Sequence, residues 1–283
     1  MVASLDLRAD GSCPCRTRPK HYATLVVVPE PGGAVETPAH ALEAAIAATI
    51  ERWDMLADVD RLGVAVSGGA DSLALLSALH GLELSLDLVP VHVHQHPLHQ
   101  RPEVLGAFIE RSFGLTTVVI EADTSLAAGE LIARGKAPCR ACAPVRAEQL
   151  GEAATTLDLG ALALGHHLDD AMATMLMNMF HGRGVDTMRP VARRRRHRAV
   201  PVLRPMLLVA ERDVKLASPA GANGLFGCGM CTVHASERAR ATTFVSDMFE
   251  RHEPSSFFAA ELVRSLADRA PRSPSSRGRR RPR

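Results

Sequence analysis

Apolar and polar positions alternate along the central part of the chain in a way that predicts strands and helices in turn. Leu62 to Val66 is a short run of apolar, partly β-branched residues and reads as a buried strand. After it, Leu75, Leu76, Leu79 and Leu82 recur with a helical period. Leu84 to Val93 is almost continuously apolar, as expected of a strand covered on both faces of a parallel sheet. Thr116 to Ile120, Ala161 to Leu164 and Val200 to Leu203 are three further strand candidates. Helices are predicted at Thr37 to Trp53, with Thr37 as cap, at Glu103 to Phe113, and at Pro144 to Leu157 with Pro144 in its first turn. Further helices are expected after Asp170, from Glu211, and at Ser236 to Phe249. The alternation predicts an α/β fold, a doubly wound parallel sheet of five strands in one domain.

The helix after Asp170 has two distinct sides. Asp170, Thr174, Asn178 and His181 recur every three or four residues and form a polar face. Met172, Met175, Leu176, Met179 and Phe180 stand opposite and read as core packing.

Boundaries follow from composition. Residues 1–36 carry Cys13, Cys15, several prolines and glycines and one strand-like run, Tyr22 to Val28, and read as a leader without assigned function. Residues 37–252 form the expected domain, and 253–283 a C-terminal helix followed by a disordered tail rich in Pro, Ser and Arg. The net charge of +2 excludes little. Its distribution matters more: Arg193, Arg194, Arg195 and Arg196 form a cluster suited to an RNA backbone, and a second basic cluster lies in the tail. No apolar run is long enough to span a membrane, and no secretory signal is evident, so a cytoplasmic location is expected. Six cysteines in a reducing compartment point to metal or redox chemistry rather than disulfides.

The chemistry gathers at strand-to-helix junctions. Ser67-Gly68-Gly69-Ala70-Asp71-Ser72 joins the first strand to its helix. Two glycines let the backbone approach a ligand, and a helix N-terminus favours a phosphate. No Gly-Lys-Ser/Thr follows, so this is not a Walker loop. Asp71 is placed to hold Mg²⁺. A second junction, Gly165-His166-His167-Leu168-Asp169-Asp170, brings two carboxylates that read as magnesium and pyrophosphate ligands beside a phosphate loop. Cys139 and Cys142 sit at or just before a helix N-terminus, a position that favours metal-binding thiolates, and Cys228 and Cys231 form a second pair. His92, His94 and His96 share one face if the second strand continues, which suits a metal. With no carboxylate evident beside them, they are read instead as part of a polar loop at the strand's carboxyl end, where open α/β sheets bind ligands.

In order, SGGADS, CRAC, GHHLDD, NMF, RPM and GCGMC resemble the tRNA 2-thiocytidine synthetase family, the iron–sulfur branch of the PP-loop ATP pyrophosphatases. The resemblance spans about residues 40 to 250 and implies the PP-loop, adenine nucleotide alpha hydrolase-like sheet. It implies ATP held by Ser67, Gly68, Gly69, Ala70, Asp71, Ser72, Gly165, His166 and Asp169, with Asp71 and Asp170 as the catalytic, Mg²⁺-binding carboxylates. It also implies a [4Fe-4S] cluster on Cys139, Cys142 and Cys231 with one iron left open. The implied reaction adenylates a nucleobase C2 carbonyl and replaces its oxygen with sulfur, making 2-thiocytidine in a tRNA anticodon loop. tRNA and a sulfur donor such as a cysteine desulfurase are then the expected partners, with a homodimer left open.

The chain departs from the family pattern at Ala70, where a lysine is usual, at Leu168, where arginine is usual, and at His94, where aspartate is usual. Two alternatives accompany the main reading. One is a nucleotide-binding protein with a structural Cys₄ zinc on Cys139, Cys142, Cys228 and Cys231. The other is an amide-forming ligase of the lysidine-synthetase type, which needs no cysteines.

Overall fold

The computed structural model describes residues 37–96, 101–134, 139–192, 200–220, 237–251 and 254–268. The leader with its Tyr22 to Val28 run, Arg193 to Arg196, both distal cysteines and the basic tail lie outside these residues.

Thr37 caps helix α1 (Pro38–Arg52): its side chain accepts from the His40 N–H at 3.3 Å, and Pro38 needs no donor at the first turn. Strand β1 (Arg61–Ala65) leads through the glycine loop into α2 (Ala70–Gly81). Strand β2 (Asp87–His96), α3 (Pro102–Phe113) and β3 (Val118–Asp123) follow. Then come α4 (Ser125–Ala133), α5 (Cys139–Thr156), β4 (Ala161–Ala163) and α6 (Leu168–Phe180). The two-residue strands β5 (Val191–Ala192) and β6 (Val202–Leu203) precede α7 (Glu211–Leu216), α8 (Glu237–Arg251) and α9 (Pro254–Asp268).

The sheet order is β3-β2-β1-β4-β6-β5. Its first five members are parallel, as the apolar runs predict, and β5 adds an antiparallel edge. The sheet therefore has six strands rather than five. Strand β5 is two residues between Pro190 and the arginine cluster, without the apolar run from Val200 to Leu203 that marks β6, so it leaves no mark in the sequence. Three further differences have physical causes. Strand β2 begins at Asp87 and runs on to His96, because β3 pairs with it as far as His96↔Asp123. The histidines thus lie in the strand and not in a loop beyond it. Helix α5 begins at Cys139 and carries Pro144 inside it, close enough to the N-terminus that few intrahelical donors are lost. Helix α4 has no counterpart in the sequence reading.

Three apolar clusters hold these layers together. Helices α1, α2, α3 and α7 cover one face of the sheet through Ile46, Leu75, Leu79, Ile109 and Val214. Helix α5 covers the other through Leu150, Ala153 and Ala154 against Val91, Val93 and Leu162. The third cluster joins α6, α8 and α9 through Met172, Met175, Val245, Phe249, Val263 and Leu266. Met172 and Met175 are core as expected, whereas Met179 and Phe180 are exposed.

Candidate active site

The chain moves from β1 to β2 and β3 on one side and places β4 on the other, so the sheet changes direction between β1 and β4. A crevice at such a point, beyond the carboxyl ends of the strands, is where open α/β sheets bind ligands. A cavity of about 390 Å³ lies here. The glycine loop contributes Ser67, Asp71 and Ser72 to its wall, and the β4 end contributes Leu164, Gly165 and His166. Val93 and Gln95 of β2, Arg204 beyond β6, and Ala143, Arg146 and Ala147 of α5 also line it.

The glycine loop is a closed set of hydrogen bonds. The Ser67 amide donates to Ser72 Oγ at 3.1 Å, the Gly69 amide to Ser67 Oγ at 3.3 Å, and the Ser72 hydroxyl to the Gly69 carbonyl at 2.9 Å. Gly68 has φ +82°, a backbone conformation that a Cβ would strain. Gly69 then caps α2 in an extended conformation without a side chain of its own. The loop is a preformed cradle of amides with the helix dipole behind it. Gly165 packs on its back: a Cβ there would lie 3.1 Å from the Asp71 carbonyl oxygen and 3.2 Å from Ser72 Cα. The two motifs are thus in backbone contact.

His167 is the hub of the polar cluster. It precedes α6, is buried, and places Nε2 3.8 Å from Asp71 Oδ2 and 3.5 Å from Asp170 Oδ2, with Nδ1 3.7 Å from Asp169 Oδ2. Burial opposes its charge, but the nearby carboxylates of Asp169, Asp170 and Asp71 outweigh burial and raise its pKa. Its neighbour His166 behaves oppositely: burial lowers its pKa to about 4, so it is neutral at physiological pH. Burial raises the Asp71 carboxyl, an effect opposed by His167 and reinforced by Glu211 and Asp170. Asp71, His167 and Glu211 offer ligand atoms within 4.8 Å of one another.

The two α6 carboxylates differ. Asp169 is buried and fully engaged, accepting from the Glu211 amide at 2.8 Å and the Ser246 hydroxyl at 3.2 Å. It joins α6 to α7 and α8. Asp170 accepts from Arg238 at 2.8 Å, and Arg238 also reaches Thr174 at 3.4 Å. Burial works against the Asp170 anion, yet His167 and Arg238 hold its pKa down. The polar face of α6 thus also meets α8, through Arg238, beside the apolar contact of Met172 and Met175 with Val245 and Phe249. His181 completes it with Glu237 at 3.1 Å, while Asn178 turns to the Asp186 carbonyl at 2.8 Å.

Cys139 and Cys142 lie in the first turn of α5, beside cavity residues Ala143 and Arg146. Cys142 is buried, with Sγ 3.7 Å from Thr124 Oγ1, and its carbonyl accepts from Gln95 Nε2 at 2.8 Å. A helix N-terminus beside a cavity suits thiolate ligands, and the spacing of Cys139 and Cys142 puts both α-carbons on one helical turn. Cys228, Cys231 and Arg193 to Arg196 lie outside the described residues. Sequence reasoning missed Arg238, Glu211, Gln95, Arg146 and Arg204. Arg204 stands in the RPM motif; the other four belong to no short motif, and each reaches the site only through tertiary packing.

Residues 38–218 match the family described as PP-loop domain. The chain is 30% identical over 253 residues to the tRNA-cytidine(32) 2-sulfurtransferase of Anaeromyxobacter dehalogenans strain 2CP-C, covering 81% of this chain and 85% of that protein. It is 33% identical over 196 residues to the enzyme of the same name from Neisseria gonorrhoeae strain NCCP11945, covering 67% of this chain and 60% of that one. Among solved structures, the U34-tRNA thiolase NcsA from Methanococcus maripaludis with its [4Fe-4S] cluster shares the fold. Its TM-score is 0.63 at 18% identity, over 83% of this chain and 81% of that one. No helix among the described residues is long and apolar enough to cross a membrane.

Proposed function

Given that the chain belongs to the tRNA-cytidine(32) 2-sulfurtransferase family of PP-loop proteins, we propose that the cavity between β1, β4 and α5 adenylates and then thiolates a tRNA cytidine. The protein is an ATP-dependent tRNA sulfurtransferase. One observation carries the assignment of its site. The glycine loop and the cysteine turn of α5 line or border the same cavity, so activation and sulfur delivery share one chamber.

The Ser67–Ser72 loop and the α2 N-terminus receive the ATP phosphates, where fixed amides stabilise charge passing to pyrophosphate. Asp71, with Glu211 within reach, would hold Mg²⁺, which would supply charge neutralisation to the phosphates. Asp170 binds on the pyrophosphate side, and Arg238 sets its orientation. Gly165 and His166 close the wall, with His166 a neutral hydrogen-bonding group. Asp169 is a positioning residue that keeps α6, α7 and α8 in register around Asp170. Cys139, Cys142 and Cys231 would hold a [4Fe-4S] cluster, and the buried thiol beside the cavity fits that role. When bound, the cluster supplies sulfur as a nucleophile for the activated C2 carbon. Arg193 to Arg196 meet the tRNA backbone, and a cysteine desulfurase or similar donor supplies the sulfur. All of this belongs in the cytoplasm, with ATP and tRNA.

The test is anaerobic purification followed by iron and sulfide analysis and a tRNA assay read as 2-thiocytidine. About four irons and four sulfides per chain are expected. Asp71→Asn should abolish AMP and pyrophosphate release while retaining the iron. Zinc in place of iron, or normal turnover by Asp71→Asn, would overturn the assignment.

A further inference from the structure

The three histidines of β2 lie on the face of the sheet opposite Val91, Val93 and Gln95 of the cavity. Sequence offers no carboxylate near them, but the fold supplies one. Strands β2 and β3 are parallel with His94 opposite Glu121 and His96 opposite Asp123. Glu121 therefore projects from the same face as His94 and His96, on the neighbouring strand. His94 Nδ1 lies 3.0 Å from Glu121 Oε2, and His96 Nε2 lies 2.9 Å from the same oxygen. The two imidazole centroids are 4.5 Å apart.

We propose that His94, His96 and Glu121 form a binding site for a divalent transition-metal ion of borderline softness, with zinc the best match, separate from the cysteine site and from the phosphate loop. The three ligand atoms all lie within 4.8 Å of one another. A tetrahedral zinc with bonds of about 2.0–2.1 Å holds its ligand atoms about 3.3–3.4 Å apart. The two N–O separations, 3.0 and 2.9 Å, need only a few tenths of an ångström of side-chain movement to reach that spacing. Two imidazoles and one carboxylate suit zinc or its first-row neighbours, whereas magnesium and calcium favour oxygen alone. Three protein ligands leave a fourth position open to water or a small anion.

The site is accessible, with the His96 and Glu121 side chains half exposed or more. His92, the third histidine, lies outside the ligand set: it is buried, and its Nδ1 contact with the Val66 carbonyl at 2.7 Å holds its ring apart from the three ligand atoms. It stacks beside His94, with rings 6.4 Å apart and 22° from parallel, and so helps fix the His94 ring. A bound ion would clamp edge strand β3 to β2. Thr124, three residues after Glu121, donates to the His96 carbonyl at 2.7 Å and lies 3.7 Å from Cys142 Sγ. The ion would thereby brace the strand ends from which the cysteine turn is hung.

The experiment is equilibrium dialysis of the full chain, already loaded with iron and sulfide, against micromolar Zn²⁺, followed by metal analysis. Loading first occupies Cys139, Cys142 and Cys231, so that these do not take up zinc, while Cys13, Cys15 and Cys228 are the same in wild type and every variant compared. Wild type should bind about one zinc per chain beyond its iron, with a rise in melting temperature from the added ligand. His94→Ala and Glu121→Gln should each weaken that uptake about tenfold or more, with iron content unchanged. Co²⁺ in place of Zn²⁺ should give a visible spectrum in wild type that the Glu121→Gln variant lacks. No zinc uptake beyond the iron, or equal uptake by wild type and the His94→Ala/His96→Ala double variant, would overturn the proposal. Glu121 is at the surface, so its glutamine variant reports on the site without a folding defect.

Discussion

Asp169→Asn is the substitution through which the site's construction is tested most directly. The carboxylate is buried and accepts from the Glu211 amide at 2.8 Å and the Ser246 hydroxyl at 3.2 Å, with His167 Nδ1 at 3.7 Å. Asparagine has the same shape, and its carbonyl oxygen can keep the Glu211 amide. Its amide nitrogen then faces Ser246 and the imidazole, and the charge that helps hold His167 protonated is gone. Hydrogen bonds to a charged acceptor contribute about 1.5–3 kcal/mol against about 1 for neutral ones. Weakening two such contacts and removing one charge partner should cost about 2–3 kcal/mol. For a chain of this size that lowers Tm by about 4–10 °C.

The pH dependence of this effect has a definite sign. His167 is raised by the fold, so its contribution is complete below its unfolded value of about 6.5 and is lost as pH rises through its folded value. Asp169 is depressed: burial opposes its ionisation, but His167 and the Glu211 amide prevail. Its contribution is complete above its unfolded value of about 3.9 and is lost as pH falls through the lower folded value. The gap between wild type and Asp169→Asn should be widest between about pH 4 and 6.5. Urea unfolding followed by circular dichroism across this range measures it. A gap below about 0.5 kcal/mol at every pH would refute the reasoning, since that is the scatter of an ordinary surface change.

Three further outcomes are expected. Gly165→Ala should cost about 1–3 kcal/mol by overpacking and lower kcat more than it raises KM for ATP, because the new methyl meets the backbone of Asp71 and Ser72 and not a yielding side chain; steady-state kinetics with a denaturation curve separate the two effects. Arg238→Met should move the acid limb of the kcat/KM profile to higher pH, since it removes one of the cations that hold the Asp170 carboxyl down, and a stationary limb would separate Asp170 from the titration. Ending the chain after residue 252 removes α9, which packs Ala259, Val263 and Leu266 against α6 and α8 and bonds Arg52 and Trp53 through Asp268; the truncated protein should bind a hydrophobic dye and melt at lower temperature, whereas unchanged melting would show that α9 is dispensable.

How much of the site the sequence shows depends on how local each contact is. The SGGADS loop is a strand, a turn and a helix in immediate succession, so its residue types report its geometry directly. The α6 polar face is equally readable, because a helix of one sequence has one periodicity. Arg238 is 68 residues from the carboxylate it neutralises, and nothing in its own neighbourhood marks it. The histidines make the same point from the other side. Their alternation was visible as a shared face, and the carboxylate that completes them was not, because it arrives on β3 through strand register.

The sequence by itself determined the parallel α/β architecture, the Thr37 cap of α1, the phosphate loop and the cysteine turn, since each rests on propensity or periodicity within about a dozen residues. Only the tertiary structure decided where β2 ends, that a sixth strand borders the sheet, and which cations and carboxylates meet around His167. Those depend on which strand lies beside which and which helix crosses which. Such choices are settled by burying the sheet and α6 together, an energy spread over the whole core and carried by no single stretch of chain.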